Sequence, residues 1–365
     1  MKILFTGDTF LGGDLLDLKK HNGIFHSKIK NATYVITTLE QAVSDNSLDV
    51  NKCTLYSPSV ALNHLLNNNI NVVNLANNHI QDKGEEGIFD TLNSLIRNSI
   101  HYLGAGKNIY NAAAPFYIND DYCLLSYCEH SKKHLNKVQV ANENLPGVNP
   151  LSFDKVCSDL KKIPVTKKVF VLIHWGYENI RLPPYENIIL AKKILELDRI
   201  EAIIGSHPHK IQGVVHHNNK RAYMSLGNFL FPNFVMQPRT KICYSYADSS
   251  ILNITKEYHP VSNLTYKKWK KSNRTSLLLS FDLTNKTFEE DFAIQDDNEP
   301  IIHELSKKGK QKMNKKLKRY SSSLKYPKIP YIIVFSAYKM IHIVIRYVSV
   351  LSFYLFKEKS LKALK

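Results

Sequence analysis

Cysteine is scarce in this chain. Its five cysteines, Cys53, Cys123, Cys128, Cys157 and Cys243, are odd in number and form no CxxC pair. That argues against a disulfide framework and against a cysteine-ligated zinc module, and reduced thiols fit a cytoplasmic protein. A long apolar run is missing from the N-terminus too. Met1-Lys2 leads into Ile3-Leu4-Phe5 and the run ends at Gly7-Asp8, too short for the apolar region of a signal peptide. No internal repeat is present, and nothing near the basic residues resembles a nucleic-acid reading motif. Acidic residues are also short: 32 stand against 49 lysines and arginines, a net charge of +17. Much of the excess sits in one run, Lys307, Lys308, Lys310, Lys312, Lys315, Lys316, Lys318 and Arg319. A basic excess this local speaks for the partner of a tail rather than the substrate of a domain.

What is present suits a packed globular chain. The 365 residues, 44% of them hydrophobic, allow one large domain or two modest ones. Short apolar runs predict strands over 2–6, 34–39, 72–75, 122–126, 168–173, 202–204 and 221–226. They lack period-two alternation, as strands covered on both faces do. Amphipathic stretches between them predict helices over 57–68, 85–98, 152–162 and 186–197, the first opened by Ser57 as N-cap with Pro58 at the first helical position. Strand alternating with helix points to a layered α/β fold, with an α+β fold on a mixed sheet as the alternative. A further strand is expected over 275–282. The partition that follows is a domain over 1–245, an extension over 246–300, a basic linker over 301–328 and a tail over 329–365.

The chemically active residues gather where predicted strands end, which is where open α/β sheets bind ligands. Gly7-Asp8 follows the first strand, and a carboxylate there is a hard ligand for Mg, Mn or Zn. Taken alone, Gly-Asp after a strand is more often only a turn. Glu40 closes the second strand. Asn77-Asn78-His79 follows the third: an asparagine oxygen can ligate a metal while the histidine reaches substrate, or the asparagines can satisfy their own turn. His174-Trp175-Gly176 follows the strand over 168–173, with Glu178 just beyond. His207-Pro208-His209 follows another strand, and two imidazoles from one extended loop can serve two neighbouring Zn, Mn or Fe ions. Carboxylates, an amide and imidazoles from five strand ends together make the donor set of a two-metal site. His79 and Glu178 are then the residues placed to move a proton or steady developing charge.

These residues, in this order, resemble the CapA-type capsule-synthesis (poly-γ-glutamate capsule) family, a branch of the calcineurin-like metallophosphoesterases. The matching pieces are Gly7-Asp8, Leu39-Glu40, Leu75-Ala76-Asn77-Asn78-His79 with Asp82 and Gly84, and Gly104-Ala105-Gly106. They continue through His174-Trp175-Gly176-Tyr177-Glu178, Gly205-Ser206-His207-Pro208-His209 and Tyr223-Met224-Ser225-Leu226-Gly227-Asn228-Phe229. The resemblance covers about residues 1–235. It implies a four-layer α/β/β/α sandwich with Asp8, Glu40, Asn78, His174, His207 and His209 as ligands of one or two divalent ions (Mn, Zn or Fe). It places His79 beside the substrate, with Asn77, Trp175, Lys107 and Asn228 as substrate contacts. The departures are Phe10, where the wider group has the histidine of Asp-x-His, and Lys107 and Asn111, where Arg and Glu are expected. The implied role is a hydrolase of capsule or surface-polymer biosynthesis, cleaving a phosphoester or a γ-glutamyl/amide bond. The competing role is a non-catalytic binding or export component of the same machinery. The implied partners are an anionic polymer or its precursor and the export machinery, with no specific nucleic acid.

Residues 329–356 are rich in Ile, Val, Tyr and Phe, with Lys339, His342 and Arg346 at spacings of three and four. The pattern predicts an amphipathic helix in the bilayer interface, its apolar stretches too short for a simple span and the upstream lysines drawn to anionic lipid. A helix packed on the main domain is the alternative. The expected location is cytoplasmic, peripheral to the inner membrane.

Overall fold

The computed structural model describes residues 1–48, 54–130, 138–237, 241–242, 253–255, 261 and 264–362; Cys53 and Cys243 lie outside them. Two sheets face each other. The larger runs in the order Gly23–Phe25, Ile301–Glu304, Thr287–Gln295, Thr275–Asp282, Lys2–Thr9, Tyr34–Leu39, Val72–Asn74, His101–Leu103. The smaller runs Val214–His217, Lys220–Tyr223, Ile200–Ser206, Lys168–His174, Tyr122–Cys128, Phe116–Tyr117.

The strands lack polar alternation because each of their faces meets a different core. Ile3, Phe5, Ile36 and Val72 meet Leu124, Phe170, Leu172 and Ile204 between the sheets. Their neighbours Leu4, Val35 and Val73 turn outward onto Ile88, Leu92 and Leu95 of the helix Gly84–Arg97. On the other sheet, Val169, Val171 and Ile173 pack on Ile188, Ala191 and Ile194 of the helix Tyr185–Leu195. The layers are therefore α/β/β/α. The larger sheet is also mixed: Lys2–Thr9 pairs parallel with Tyr34–Leu39 and antiparallel with Thr275–Asp282.

All seven strands expected before residue 230 are present, as is the one over 275–282. The helix expected over 152–162 is Phe153–Leu160, and Ser152 caps it by accepting from the Lys155 amide. The 57–68 helix begins differently. Ser57 ends the strand Thr54–Ser57 and its hydroxyl accepts from Gln41 Nε2 at 2.6 Å. Pro58 then stands at the N-cap of a 3-10 turn, Ser59–Leu62, that leads into Asn63–Leu66.

The C-terminal part corrects the linker reading. Ile301–Glu304 is a strand between Gly23–Phe25 and Thr287–Gln295, and Lys307–Ser323 is a helix docked on the domain. Met313, Leu317 and Tyr320, at helical spacing, form a narrow apolar stripe in which Leu317 and Tyr320 are buried. Lys310 pairs with Asp291 at 2.8 Å and with Glu304, and Ser321 Oγ accepts from the Val214 amide at 2.9 Å. Lysines on the helix's other faces hid the stripe in the sequence.

A second helix, Lys328–Lys362, follows. Tyr331 is buried and its hydroxyl donates to the Pro183 carbonyl at 2.6 Å. Phe335 packs beside it and Lys339 Nζ donates to Tyr177 Oη at 3.1 Å. Residues 331, 335 and 339 form the docked stripe, so Lys339 faces the protein rather than a bilayer surface. Ile329, Ile333, Met340, Ile341, Val344 and Ile345 are exposed. The 18 residues Lys328–Ile345 are long and apolar enough to cross a membrane by length and composition, and only 6% of them is buried. This corrects the expectation that the apolar stretches are too short: two lysines in 18 residues do not interrupt a span.

Candidate metal centre

Asp8, Glu40 and Asn78 come from the ends of parallel strands in the larger sheet. His174 is the last residue of its strand in the smaller sheet, and His207 and His209 follow the next strand. The two sheets thus deliver acids and an amide from one side and imidazoles from the other. All six are buried.

Two local conformations hold the cluster. Gly7 runs so close to Gly227 that a Cβ would lie 1.7 Å from its carbonyl oxygen; its glycine serves this close approach, not the sharp turn the sequence suggested. The bond from the Asp8 amide to Gly227 O and that from Phe229 N to Asp8 O lock the two segments. The His-Pro-His loop is not extended. His207 and His209 both lie at positive φ, 94° and 53°, a strained choice for residues other than glycine that marks functional positions. It aims the two rings at different partners.

Glu40 stands between them. Its Oε1 is 3.6 Å from His174 Nε2 and 3.8 Å from His207 Nδ1, and its Oε2 is 3.6 Å from His209 Nδ1. His209 Nδ1 is also 3.6 Å from Asp8 Oδ2. Two donor triads result, Glu40–His174–His207 and Asp8–Glu40–His209. Spacings of 3.6–3.8 Å exceed hydrogen-bond reach, but they match two donors sharing one ion, which stand roughly 3.4 Å apart in a tetrahedron. Amide oxygens complete each side: Asn78 Oδ1 is 2.8 Å from His174 Nε2, and Asn228 Oδ1 is 2.8 Å from His209 Nδ1. The donor set fits divalent transition metals.

Electrostatics agree. Burial raises the Asp8 carboxyl to about 8, against a smaller lowering by the His207 amide that bonds it at 3.1 Å. Burial lowers His209 to about 4 and His174 well below the ordinary imidazole value. The imidazoles are thus held neutral, the form that ligates metal.

His79 sits beside the cluster, its charge acting on His174, His209 and Glu178. Its Nδ1 is 2.5 Å from Asp82 Oδ2, which also accepts from the Leu55 amide at 2.6 Å. Asp82 had no role in the sequence reading beyond its place in the motif; the His-x-x-Asp spacing was the available signal. Glu178 is opposed by burial, but His207, His209, His79 and then Lys267 draw its pKa below the usual range. It therefore faces the imidazoles as a carboxylate.

Of the expected substrate contacts, Asn228 lies in the cluster and Lys107 is exposed. Asn77 is fully buried and builds the turn: its amide donates to Leu39 O at 2.8 Å and its oxygen accepts from the His79 amide at 2.9 Å. Trp175 lies in the helix-side core and donates to Met224 O. These two are corrected to positioning and packing residues, their polar atoms taken up by the fold. Phe10 joins an aromatic cluster with Phe231 and Phe234, and Phe231 and Trp269 flank the His209 ring. A third grouping, His26, Asp291 and Glu304, is occupied by the Lys310 ammonium. His26 Nδ1 accepts from the Lys28 amide, which leaves the hydrogen on Nε2.

The model of the family described as Bacterial capsule synthesis protein PGA_cap matches residues 2–233. The capsule biosynthesis protein CapA of Bacillus anthracis is 29% identical over 165 residues, covering 44% of this chain and 40% of that protein. The PGA biosynthesis protein CapA of Bacillus subtilis (strain 168) is 30% identical over 170 residues, covering 45% and 43%. The matched stretch spans less than half the length of either relative. Among solved structures, the NAD nucleotidase NadN of Haemophilus influenzae is similar over 94% of this chain and 60% of its own, with 13% identity and a TM-score of 0.37.

Proposed function

The chain belongs to the bacterial capsule synthesis protein family, and we propose that it is a metal-dependent hydrolase of surface-polymer biosynthesis. The observation that carries the reading is the shared Glu40, one oxygen turned to each of two histidine-containing triads. Asp8, Glu40, His209 and Asn228 would hold one ion, and Glu40, His174, His207 and Asn78 the other. Bound Mn, Zn or Fe would polarise the substrate and offset charge on its leaving and attacking oxygens.

The chain's own groups do the rest. Asp82 fixes the His79 ring through Nδ1 and leaves Nε2 as the atom that gives a proton to the leaving group. Glu178, held as a carboxylate, orients cationic or hydroxyl groups of the substrate. The scissile bond is a phosphoester or a γ-glutamyl/amide bond in an anionic polymer or its precursor. The location is the cytoplasmic face of the inner membrane, beside the export machinery. The exposed apolar helix supports the membrane side of this reading.

Metal content of protein purified without chelator, against the His207→Ala/His209→Ala double variant, tests the centre; one or two equivalents lost in the variant is the expected result. His79→Ala then tests turnover. It should retain metal and lose about 10²–10⁴-fold in hydrolysis of a phosphodiester or γ-glutamyl substrate. Metal binding with no hydrolysis in the unaltered protein would leave a binding or export role for the pocket.

A further inference from the structure

Beside the loop that carries His209, between the Lys307–Ser323 helix and the domain, lies a cavity of about 460 Å³. That volume is within the range of small-ligand sites. Five cations line it: Arg181, Lys210, Lys271, Lys312 and Lys316. Among the described residues no carboxylate lines it. Glu304, next to the lining residue Leu305, is engaged by Lys310, a helix residue that does not line the cavity. The crowding is electrostatically real. Burial lowers the Lys316 pKa, and the charges of Lys312, Arg181, Arg319 and Lys271 lower it further.

The floor is of the opposite character. Ile211, Leu305, Met313 and Tyr320 supply apolar surface, with Arg181 stacked 4.9 Å over the Tyr320 ring. Cations lined up with no carboxylate among the described lining residues, above an apolar floor, suit a ligand with an anionic head and an apolar stem. A polycarboxylate alone would leave that floor unused. The position supports the same class. Tyr331, at the root of the exposed apolar helix, donates to Pro183, two residues from Arg181. The cavity therefore opens at the base of the one element among the described residues that is long and apolar enough to enter a bilayer.

We propose that this cavity binds the phosphate group of an amphiphile, its head held by the five cations and the start of its apolar chain on the Ile211–Leu305–Met313–Tyr320 floor. The site shares no residue with the metal centre, and the inference does not depend on turnover there. Charge-assisted bonds from Lys and Arg to phosphate are the strongest polar contacts such a cavity offers.

Calorimetric titration of the full chain in neutral detergent tests this, with dihexanoyl phosphatidate, inorganic pyrophosphate and a hexaglutamate peptide as probes. Saturable one-to-one binding of the phosphatidate is expected. Lys271→Glu/Lys312→Glu/Lys316→Glu should weaken it at least tenfold, and Lys308→Glu/Lys315→Glu/Lys318→Glu, equal in charge change but off the cavity, less than threefold. If the first triple variant melts early, Lys271→Gln and Lys312→Gln, both at exposed lysines, should each weaken binding about threefold. Equal losses in the two triple variants would overturn the proposal, since a basic helix would then attract anions without a pocket. Pyrophosphate binding as tightly as the lipid would assign the site to a soluble phosphate, and tighter hexaglutamate binding to an acidic polymer; either result sinks the amphiphile.

Discussion

The strand-end cluster and the C-terminal helices invert the usual burial rules in opposite directions. In the cluster, two carboxylates and three histidines are almost fully buried and stand 3.6–3.8 Å apart, too far to hydrogen-bond. In the helices, lysines crowd one another over a cavity, and a row of Ile, Val and Met faces outward. Buried ionisable groups cost several kcal/mol unless something compensates them, and exposed apolar patches cost solubility unless something covers them. The first region offers the donor set of a metal centre, and the second offers exposed apolar surface beside clustered cations.

The sharpest way to break this contrast is at Glu40. It is shared by both triads, so Glu40→Gln removes the charge common to both ions and should cost at least about 100-fold in metal affinity, by equilibrium dialysis. A Glu40→Gln protein that still holds two equivalents would mean that the triads are ordinary buried polar packing.

A tenfold effect is expected from pH. Without metal, Asp8 titrates near 8 while an unfolded Asp titrates near 4. Between those values the folded chain binds the extra proton, so this group's contribution makes the metal-free protein less stable as pH rises from about 4 to 8. Metal needs the carboxylate, so uptake below pH 8 releases this proton. Affinity should rise about tenfold per pH unit toward 8 and then level off. Calorimetry in buffers of different ionisation enthalpy at pH 6.5 reads the released proton directly; zero release would place Asp8 outside the ligand set. His209, titrating near 4, releases nothing in this range.

The two regions were unequally legible in the sequence. Strands buried on both faces leave continuous apolar runs, and ligands such as Asp8, His174 and His207 follow them directly, so the order of layers and the ligand cluster could be read from residue types at run ends. What pairs with what across the fold could not. The grip of Asp82 on His79, the core position of Trp175 and the left-handed backbone at His207 and His209 are decided by tertiary contacts. The basic helix was misread because nine of its seventeen residues, from Lys307 to Ser323, are Lys, Arg or Gln. Its anchoring stripe of Met313, Leu317 and Tyr320 carries only three apolar side chains. Counting charges one by one makes the C-terminal helix look too broken to span a bilayer, whereas length and average hydropathy over 18 residues allow it.

The smallest effect tests whether the basic helix belongs to the domain at all. Lys310 joins Asp291 of one strand of the larger sheet to Glu304 at the end of the next, with its own side chain three-quarters buried. Lys310→Met keeps the length of the side chain and removes the charge, leaving Asp291 with the Phe292 amide at 2.8 Å and His26 at 3.7 Å. Because the ammonium is partly solvated, the expected loss is modest, about 1–2 kcal/mol in urea unfolding. The loss should be absent when Asp291→Asn is already in place, since the two changes remove one interaction. An additive pair of changes would show that the helix is held by Leu317 and Tyr320 alone. The cavity beneath it would then rest on packing, with no ionic latch to fix its depth.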